Sequence, residues 1–149
     1  MGSKNIRVLF VCTGNTCRSP MAEYYFNNIA DGMTAESCGL YAESGCSMSA
    51  NARKVLENHN IVKDVCEISH KSREIDENII KNADFIYGIT EHHEARLKED
   101  FPYFADKIFC MPENIGDPYG GNLEIYENCF ENIKKSVDII IKNLTERGS

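Results

Sequence analysis

No apolar run in this chain approaches the roughly 18 residues of a membrane-spanning helix, and no basic stretch followed by an apolar core opens it. The sequence therefore predicts no membrane partner and a cytoplasmic location. Linkers, internal repeats and low-complexity stretches are also missing, so the 149 residues read as one domain spanning residues 1–149. Positive charge is in short supply. Sixteen Lys and Arg face twenty-three Asp and Glu, a formal net charge of −7, which argues against nucleic acid or an anionic membrane surface as partner. A local basic pocket stays open. No cysteine pair has the C-x2-C spacing of a zinc knuckle or a thioredoxin-type site, and the adjacent His92 and His93 cannot both face one metal from a regular helix. The sequence predicts no metal. Its seven cysteines, Cys12, Cys17, Cys38, Cys46, Cys66, Cys110 and Cys129, form an odd set that reads as free thiols in a reducing compartment.

What the chain does have is an alternation of buried-type strands and helical patterns, the mark of an α/β domain with a parallel sheet. Ile6–Cys12 lacks polar alternation, as a central strand buried on both faces does. A weaker second strand is expected over Met33–Cys38, a third, buried strand over Ala83–Ile89 and a fourth over Lys107–Met111. Helices are expected from Ser19-Pro20 to about Ala30, over Ser49–Asn60 with Ala52, Val55 and Leu56 inward, over Glu74–Asn82, from a Thr90 cap to about Phe101 with a mostly solvent-facing surface, and over Leu123–Leu144 with Ile125, Phe130, Ile133, Val137 and Ile141 as the apolar stripe. The expected architecture is a single doubly wound domain with a four-stranded parallel sheet in the order 2-1-3-4, flanked by helices, with its site at the carboxyl edge where the order reverses.

The chemistry concentrates in "VLFVCTGNTCRSPMAE". Cys12 ends the first strand, Arg18 enters the first helix, and the five residues Thr13, Gly14, Asn15, Thr16 and Cys17 must turn the chain between them. Gly14 and Asn15 suit such a turn because both tolerate left-handed backbone. Inward-pointing amides and a helix N-terminus make a cradle for a tetrahedral anion, and the Arg18 guanidinium can add two parallel hydrogen bonds to phosphate oxygens. A cysteine in that field has its thiolate favoured and becomes a nucleophile. Ser19 is placed either to donate to that sulfur or to cap the helix. No Gly-Lys-Ser/Thr follows, so this is not the common nucleotide loop. A carboxyl that protonates a leaving group would complete the site, and Asp117 in "GDPYGG" is the candidate; Asp-Pro is also an ordinary turn pair.

"VLFVCTGNTCRSPMAE" together with the downstream "DPYGG" resembles the low-molecular-weight protein tyrosine phosphatase family, and the likeness runs across the chain in length and element order. The resemblance implies that Cys12 attacks phosphorus and that the loop from Thr13 to Arg18 binds the phosphoryl oxygens. Asp117 would protonate the leaving group and then activate the water that hydrolyses the cysteinyl-phosphate. It implies no metal and no organic cofactor, and phosphorylated protein substrates; a monomer is expected. Asn15 would hold the loop through its side-chain amide, Ser19 would assist the thiolate, and His70 in "SHKSR" would support the loop, although the residue alone reads equally as a surface histidine. Cys17 matches a second loop cysteine able to form a reversible disulfide with the nucleophile; otherwise it is a small filler beneath the loop.

Substrate choice departs from the tyrosine-specific pattern. A bulky aliphatic usually stands at the place of Thr16, and paired aromatics follow the Asp-Pro. Here Thr16 and Tyr119-Gly120-Gly121 are more similar to the bacterial protein-arginine-phosphatase branch. A hydroxyl at the pocket wall could order polar atoms around a phosphoguanidinium, and ionised Asp117 could attract that cation. Tyr119 still offers an aromatic wall. Phosphoarginine is therefore favoured over phosphotyrosine. An arsenate reductase would need relay cysteines after the third strand, and Ala83 to Phe101 contains none; a mere phosphate-binding module would need neither Cys12 nor Asp117.

Overall fold

A computed structural model describes residues 5–147; the outermost residues of the expected 1–149 domain lie outside the described residues. Four parallel strands, β1 (Ile6–Cys12), β2 (Met33–Gly39), β3 (Phe85–Gly88) and β4 (Ile108–Cys110), stand in the order β2-β1-β3-β4. The helices are α1 (Arg18–Ile29), α2 (Ala50–Asn58), α3 (Glu77–Asn82), α4 (Glu91–Asp100) and α5 (Leu123–Arg147). The expected fold class and strand order are both present.

Side chains of a strand alternate between its two faces, and β1 uses this to join two cores. Val8, Phe10 and Cys12 pack with Met21 and Phe26 of α1, Val55 and Leu56 of α2, and Phe130 and Ile133 of α5. Leu9 and Val11 face the other way, onto Ile80 of α3 and Leu97 of α4. A strand apolar on both faces can be buried only in the middle of a covered sheet, which is why β1 shows no polar alternation. Its two neighbours, β2 and β3, are reached by crossovers in opposite directions. That leaves a crevice beyond the carboxyl end of β1, where Cys12 sits.

The register fixes the crevice floor. Cys12 lies beside Gly39, and the segment after β2 continues the ladder, with Leu40 N–H donating to Cys12 O at 2.9 Å and Tyr41 N–H to Thr13 O at 3.0 Å. Gly39 is required for this close approach, because a Cβ there would come within 2.5 Å of the Thr13 carbonyl oxygen. The loop is strapped to the sheet from its first two residues onward.

Several sequence expectations need correction. α3 begins at Glu77, not Glu74, because the Asp76 side chain accepts from Ile79 N–H and caps it there. α4 is mostly solvent-facing, as expected, with His93 and Leu97 as its buried positions. In α5 the inward stripe is Tyr126, Cys129, Phe130, Ile133, Val137, Ile140 and Leu144. Ile125 is 48% exposed and Ile141 only partly buried, since the polar-looking Cys129 and Tyr126 hold the inner positions. Two 3-10 segments, Val65–Glu67 and Pro102–Lys107, lie where the sequence predicts no element, save for Lys107, expected in the fourth strand, which begins at Ile108.

Candidate active site

Residues Cys12 to Arg18 close into a loop over the end of β1. The turn is made by Asn15, whose backbone is left-handed with φ of 58°. Gly14, expected to share that role, has no positive φ. Asn15 is fully buried, and its side chain explains why an asparagine and not a glycine bears the turn. Its Nδ2 donates to Ser19 Oγ and to Ser37 Oγ, both at 2.9 Å, while its Oδ1 accepts from Arg73 N–H at 3.1 Å. One side chain thus ties the loop to α1, to β2 and to the segment after His70. His70 adds a fourth tie, its Nε2–H donating to Asn15 O at 2.8 Å. That imidazole is not a surface group, its side chain being 6% exposed, and burial pushes its pKa down.

The Cys12 sulfur faces two polar partners, Ser19 Oγ at 2.9 Å and the Asn15 amide at 3.3 Å. The alternative role for Ser19 as helix cap falls away. Cys17 occupies the cap position of α1 without a side-chain bond, and Ser19 lies inside the first turn. The Ser19 hydroxyl, which accepts from Asn15 Nδ2, has two acceptors within reach of its own hydrogen, the sulfur at 2.9 Å and Cys38 O at 3.5 Å, and the sulfur is the nearer.

Arg18 is buried at 6% exposure. One guanidinium nitrogen donates to Ile115 O at 3.2 Å, and the other lies 3.8 Å from Asp117 Oδ2. Cation and carboxylate therefore meet across the mouth of one cleft of about 200 Å³, lined by Cys12, Thr13, Gly14, Asn15, Thr16, Cys17, Arg18, Asp117 and Tyr119. The fold brings together nine residues drawn from two segments about a hundred positions apart. A larger cleft of about 490 Å³, between the ends of β3 and β4, contains neither a nucleophile paired with Arg18 nor any part of the loop; its chemistry does not match a phosphoryl site.

The two sides of the smaller cleft are built differently. Asp117 is held by an Asx turn, its Oδ1 accepting from Tyr119 N–H at 3.0 Å, and its side chain is 59% exposed. Tyr119 is 81% exposed, so it borders the cleft without closing it. Cys17 lies beneath the loop, its sulfur 3.3 Å from Tyr126 Oη and 3.5 Å from Ser49 Oγ. Both Cys12 and Cys17 are free thiols.

Sequence reasoning missed the groups that support the loop from behind. Ser37 passes the Asn15 contact on to Glu23, whose Oε1 accepts from Ser37 Oγ at 2.5 Å. Burial raises the Glu23 pKa to about 7, against the lowering effects of Ser37 and Arg73. His70 Nδ1 stands 3.9 Å from the same carboxyl, and burial disfavours the charged form of both groups. His93 of α4 reaches Thr13, its Nε2 3.0 Å from the hydroxyl. Glu23 and Ser37 are single polar residues of a helix and a strand, so no sequence pattern marks them.

With this geometry in hand, comparison with known proteins is specific. Residues 7–149 match the family described as low molecular weight phosphotyrosine protein phosphatase, and the chain belongs to that family. A protein-arginine-phosphatase of Geobacillus stearothermophilus is 33% identical over 146 residues, covering 93% of this chain and 95% of the relative. A low molecular weight protein-tyrosine-phosphatase of Staphylococcus haemolyticus is 31% identical over 136 residues, covering 86% of this chain and 92% of the relative. The solved arginine phosphatase structure from Geobacillus stearothermophilus superposes with a TM-score of 0.88 at 31% identity, over 95% of this chain and 94% of that one.

Proposed function

We propose that this chain, acting as one domain, is a protein phosphatase that works through a cysteinyl-phosphate, with phosphoarginine in proteins preferred over phosphotyrosine. The observation that carries the reading is the meeting of Cys12, Arg18 and Asp117 in one small cleft floored by the loop. In the first step Cys12 Sγ attacks phosphorus and the bond from phosphorus to the leaving atom breaks. The leaving nitrogen or oxygen takes a proton from the Asp117 carboxyl. The loop from Thr13 to Arg18 meets the phosphoryl oxygens, positioned before the reaction so that no reorganisation is needed as charge shifts. In the second step Asp117 takes a proton from water, the water oxygen bonds to phosphorus, and the S–P bond breaks to return the thiolate and release phosphate. Ser19 stabilises the sulfur as it leaves. Asn15 and His70 hold the loop in shape.

Both substrate classes are represented by name among the relatives, a protein-arginine-phosphatase and a protein-tyrosine-phosphatase. Thr16 supports the first: a hydroxyl in the cleft wall suits a polar, cationic guanidinium better than a phenyl ring. The exposed ring of Tyr119 supports the second. We further read Cys17 as the resolving thiol of a reversible Cys12–Cys17 disulfide, the chain as monomeric, and its location as cytoplasmic, in keeping with its seven cysteines and the lack of any described helix long and apolar enough to cross a membrane.

The test is kcat/KM for one peptide carrying phosphoarginine and the same peptide carrying phosphotyrosine, with wild type and Thr16→Ile side by side. The expected result is a wild-type preference for phosphoarginine that Thr16→Ile reverses. A wild-type preference for phosphotyrosine would assign the pocket to Tyr119 and overturn the arginine reading.

A further inference from the structure

His93 has both ring nitrogens committed, and the commitment of one dictates the other. The capping box at the start of α4 is closed by His93 in the place usually held by Glu or Gln. Thr90 N–H donates to His93 Nδ1 at 3.1 Å. Thr90 Oγ1 accepts from His93 N–H at 3.3 Å and, lying 2.9 Å from Nδ1, directs its own hydrogen there. A ring nitrogen that accepts a backbone N–H carries no proton, so the neutral imidazole holds its proton on Nε2. Burial, with the Arg18 charge nearby, pushes the His93 pKa down to about 4, which keeps the ring neutral.

Nε2–H therefore donates to Thr13 Oγ1, 3.0 Å away. The Thr13 hydroxyl has no other hydrogen-bond partner among the described residues, and Thr13 is an exposed residue lining the cleft beside Cys12. With one lone pair taken by His93, its O–H and remaining lone pair are free for a ligand. Gly88 makes the reach possible: a Cβ there would lie 2.6 Å from Glu94 N and 3.0 Å from His93 Cβ, so only glycine lets α4 press its first turn against β3. A cap needs only the Nδ1 acceptor. The second contact, spanning eighty positions of sequence, is surplus to that task.

We propose that His93 is a positioning residue of the phosphoryl site: through Nε2–H it holds the Thr13 side chain in one rotamer, with the hydroxyl turned to the substrate in the cleft. The catalytic part of this inference rests on the phosphatase reading above. Two substitutions separate the two nitrogens. His93→Asn can keep an acceptor for the Thr90 amide but is too short to reach Thr13, whereas His93→Gln can place an amide N–H near the Nε2 position.

The test is kcat and KM on p-nitrophenyl phosphate for wild type, His93→Asn, His93→Gln, Thr13→Val and the double variant Thr13→Val with His93→Asn. Loss of one positioned hydrogen bond predicts a drop of about tenfold in kcat/KM for His93→Asn and for Thr13→Val, no further drop in the double variant, and recovery to within about threefold of wild type in His93→Gln. Equal factors for His93→Asn in the wild-type and Thr13→Val backgrounds would overturn the proposal, as would a His93→Gln as impaired as His93→Asn. Ring nitrogen NMR provides an arm that does not need turnover. It should show a bare Nδ1 and a protonated Nε2 whose signal moves in Thr13→Val and on adding tungstate. A proton on Nδ1, or an Nε2 signal indifferent to bound tungstate, would sink the idea even if the chain proved not to hydrolyse phosphate esters.

Discussion

The two walls of the cleft differ as a casting differs from a hinge. On the loop side, Asn15, Arg18 and Ser19 are buried, and every side-chain polar group of Asn15 is spent on holding the turn. On the opposite side, the Asp117 and Tyr119 side chains are mostly exposed, in a turn closed by Tyr119 N–H to Asp117 Oδ1 and by Gly121 N–H to Pro118 O. The difference follows from what each wall must do. Binding a phosphoryl group demands donors fixed beforehand, because any loop entropy left unpaid would be subtracted from transition-state stabilisation. Delivering a proton demands only that a carboxyl reach the leaving atom, whose position varies with the substrate. A rigid wall and a lightly held one can therefore serve one reaction.

The harshest way to break the comparison is to empty the rigid wall of its nucleophile. Cys12→Ser leaves the cradle and Arg18 in place, so tungstate or vanadate should still bind within about tenfold of wild type. Steady-state turnover should fall by at least about a thousandfold, since the group that forms the covalent intermediate is gone. Residual hydrolysis within tenfold of wild type would mean that another residue attacks phosphorus. Loss of anion binding together with turnover would show that the sulfur is also a structural part of the cradle.

Asp117→Asn breaks the other wall. An amide cannot donate a carboxylic proton, so substrates with poor leaving groups should lose about a hundred- to a thousandfold in kcat. p-Nitrophenyl phosphate, whose leaving group needs little protonation, should lose far less in its first step. Stability should hardly change, because the side chain is exposed and its Asx turn survives in asparagine. Equal kinetic losses on both substrates would remove Asp117 from the acid role and leave the exposed wall without a chemical task.

How far each wall was legible in the sequence follows the same division. The cysteine loop could be read because its demands are local: a strand end, a turn residue that tolerates positive φ, and an arginine at a helix start lie within seven positions. Asp117 could be read from its turn chemistry. What stands behind the loop could not. Glu23 is a lone carboxylate in α1, which by itself reads as a solvated side chain, and only the pairing of β2 with β1 puts Ser37 between it and Asn15. His93 sits in the run "EHHEARLKED", where polar composition suggests an exposed helix; its burial comes from the close approach of α4 to the backbone of β3 at Gly88, which only the fold brings about. In α5 the helix and its inward Phe130, Ile133 and Val137 are as expected, and only Ile125 and Ile141 are displaced. Its inner stripe includes Tyr126 and Cys129, which hydropathy alone ranks below Ile125 and Ile141.

The smallest effect tests how deep the rigid wall extends. Glu23 ionises near 4.5 as an ordinary carboxyl but near 7 in the fold, chiefly because burial disfavours its charge, while Ser37 and Arg73 pull it down and Glu36 pushes it up. Between those values the folded chain holds a proton that the unfolded chain has lost, so this group's contribution to stability is complete below about pH 4.5 and is lost as pH rises to about 7. His93 works in the opposite sense. Its folded pKa of about 4 lies below its ordinary 6.5, so its contribution is lost as pH falls through that window. In the wild type the two trends offset each other over much of the mildly acidic range. Glu23→Gln keeps an acceptor for Ser37 and cannot ionise, so denaturant unfolding should show the wild type losing ground to the variant from pH 4.5 to 7, by at most about tenfold in folding constant per pH unit. Parallel stability curves would mean that Glu23 is charged throughout and that the polar chain behind the loop ends at Ser37.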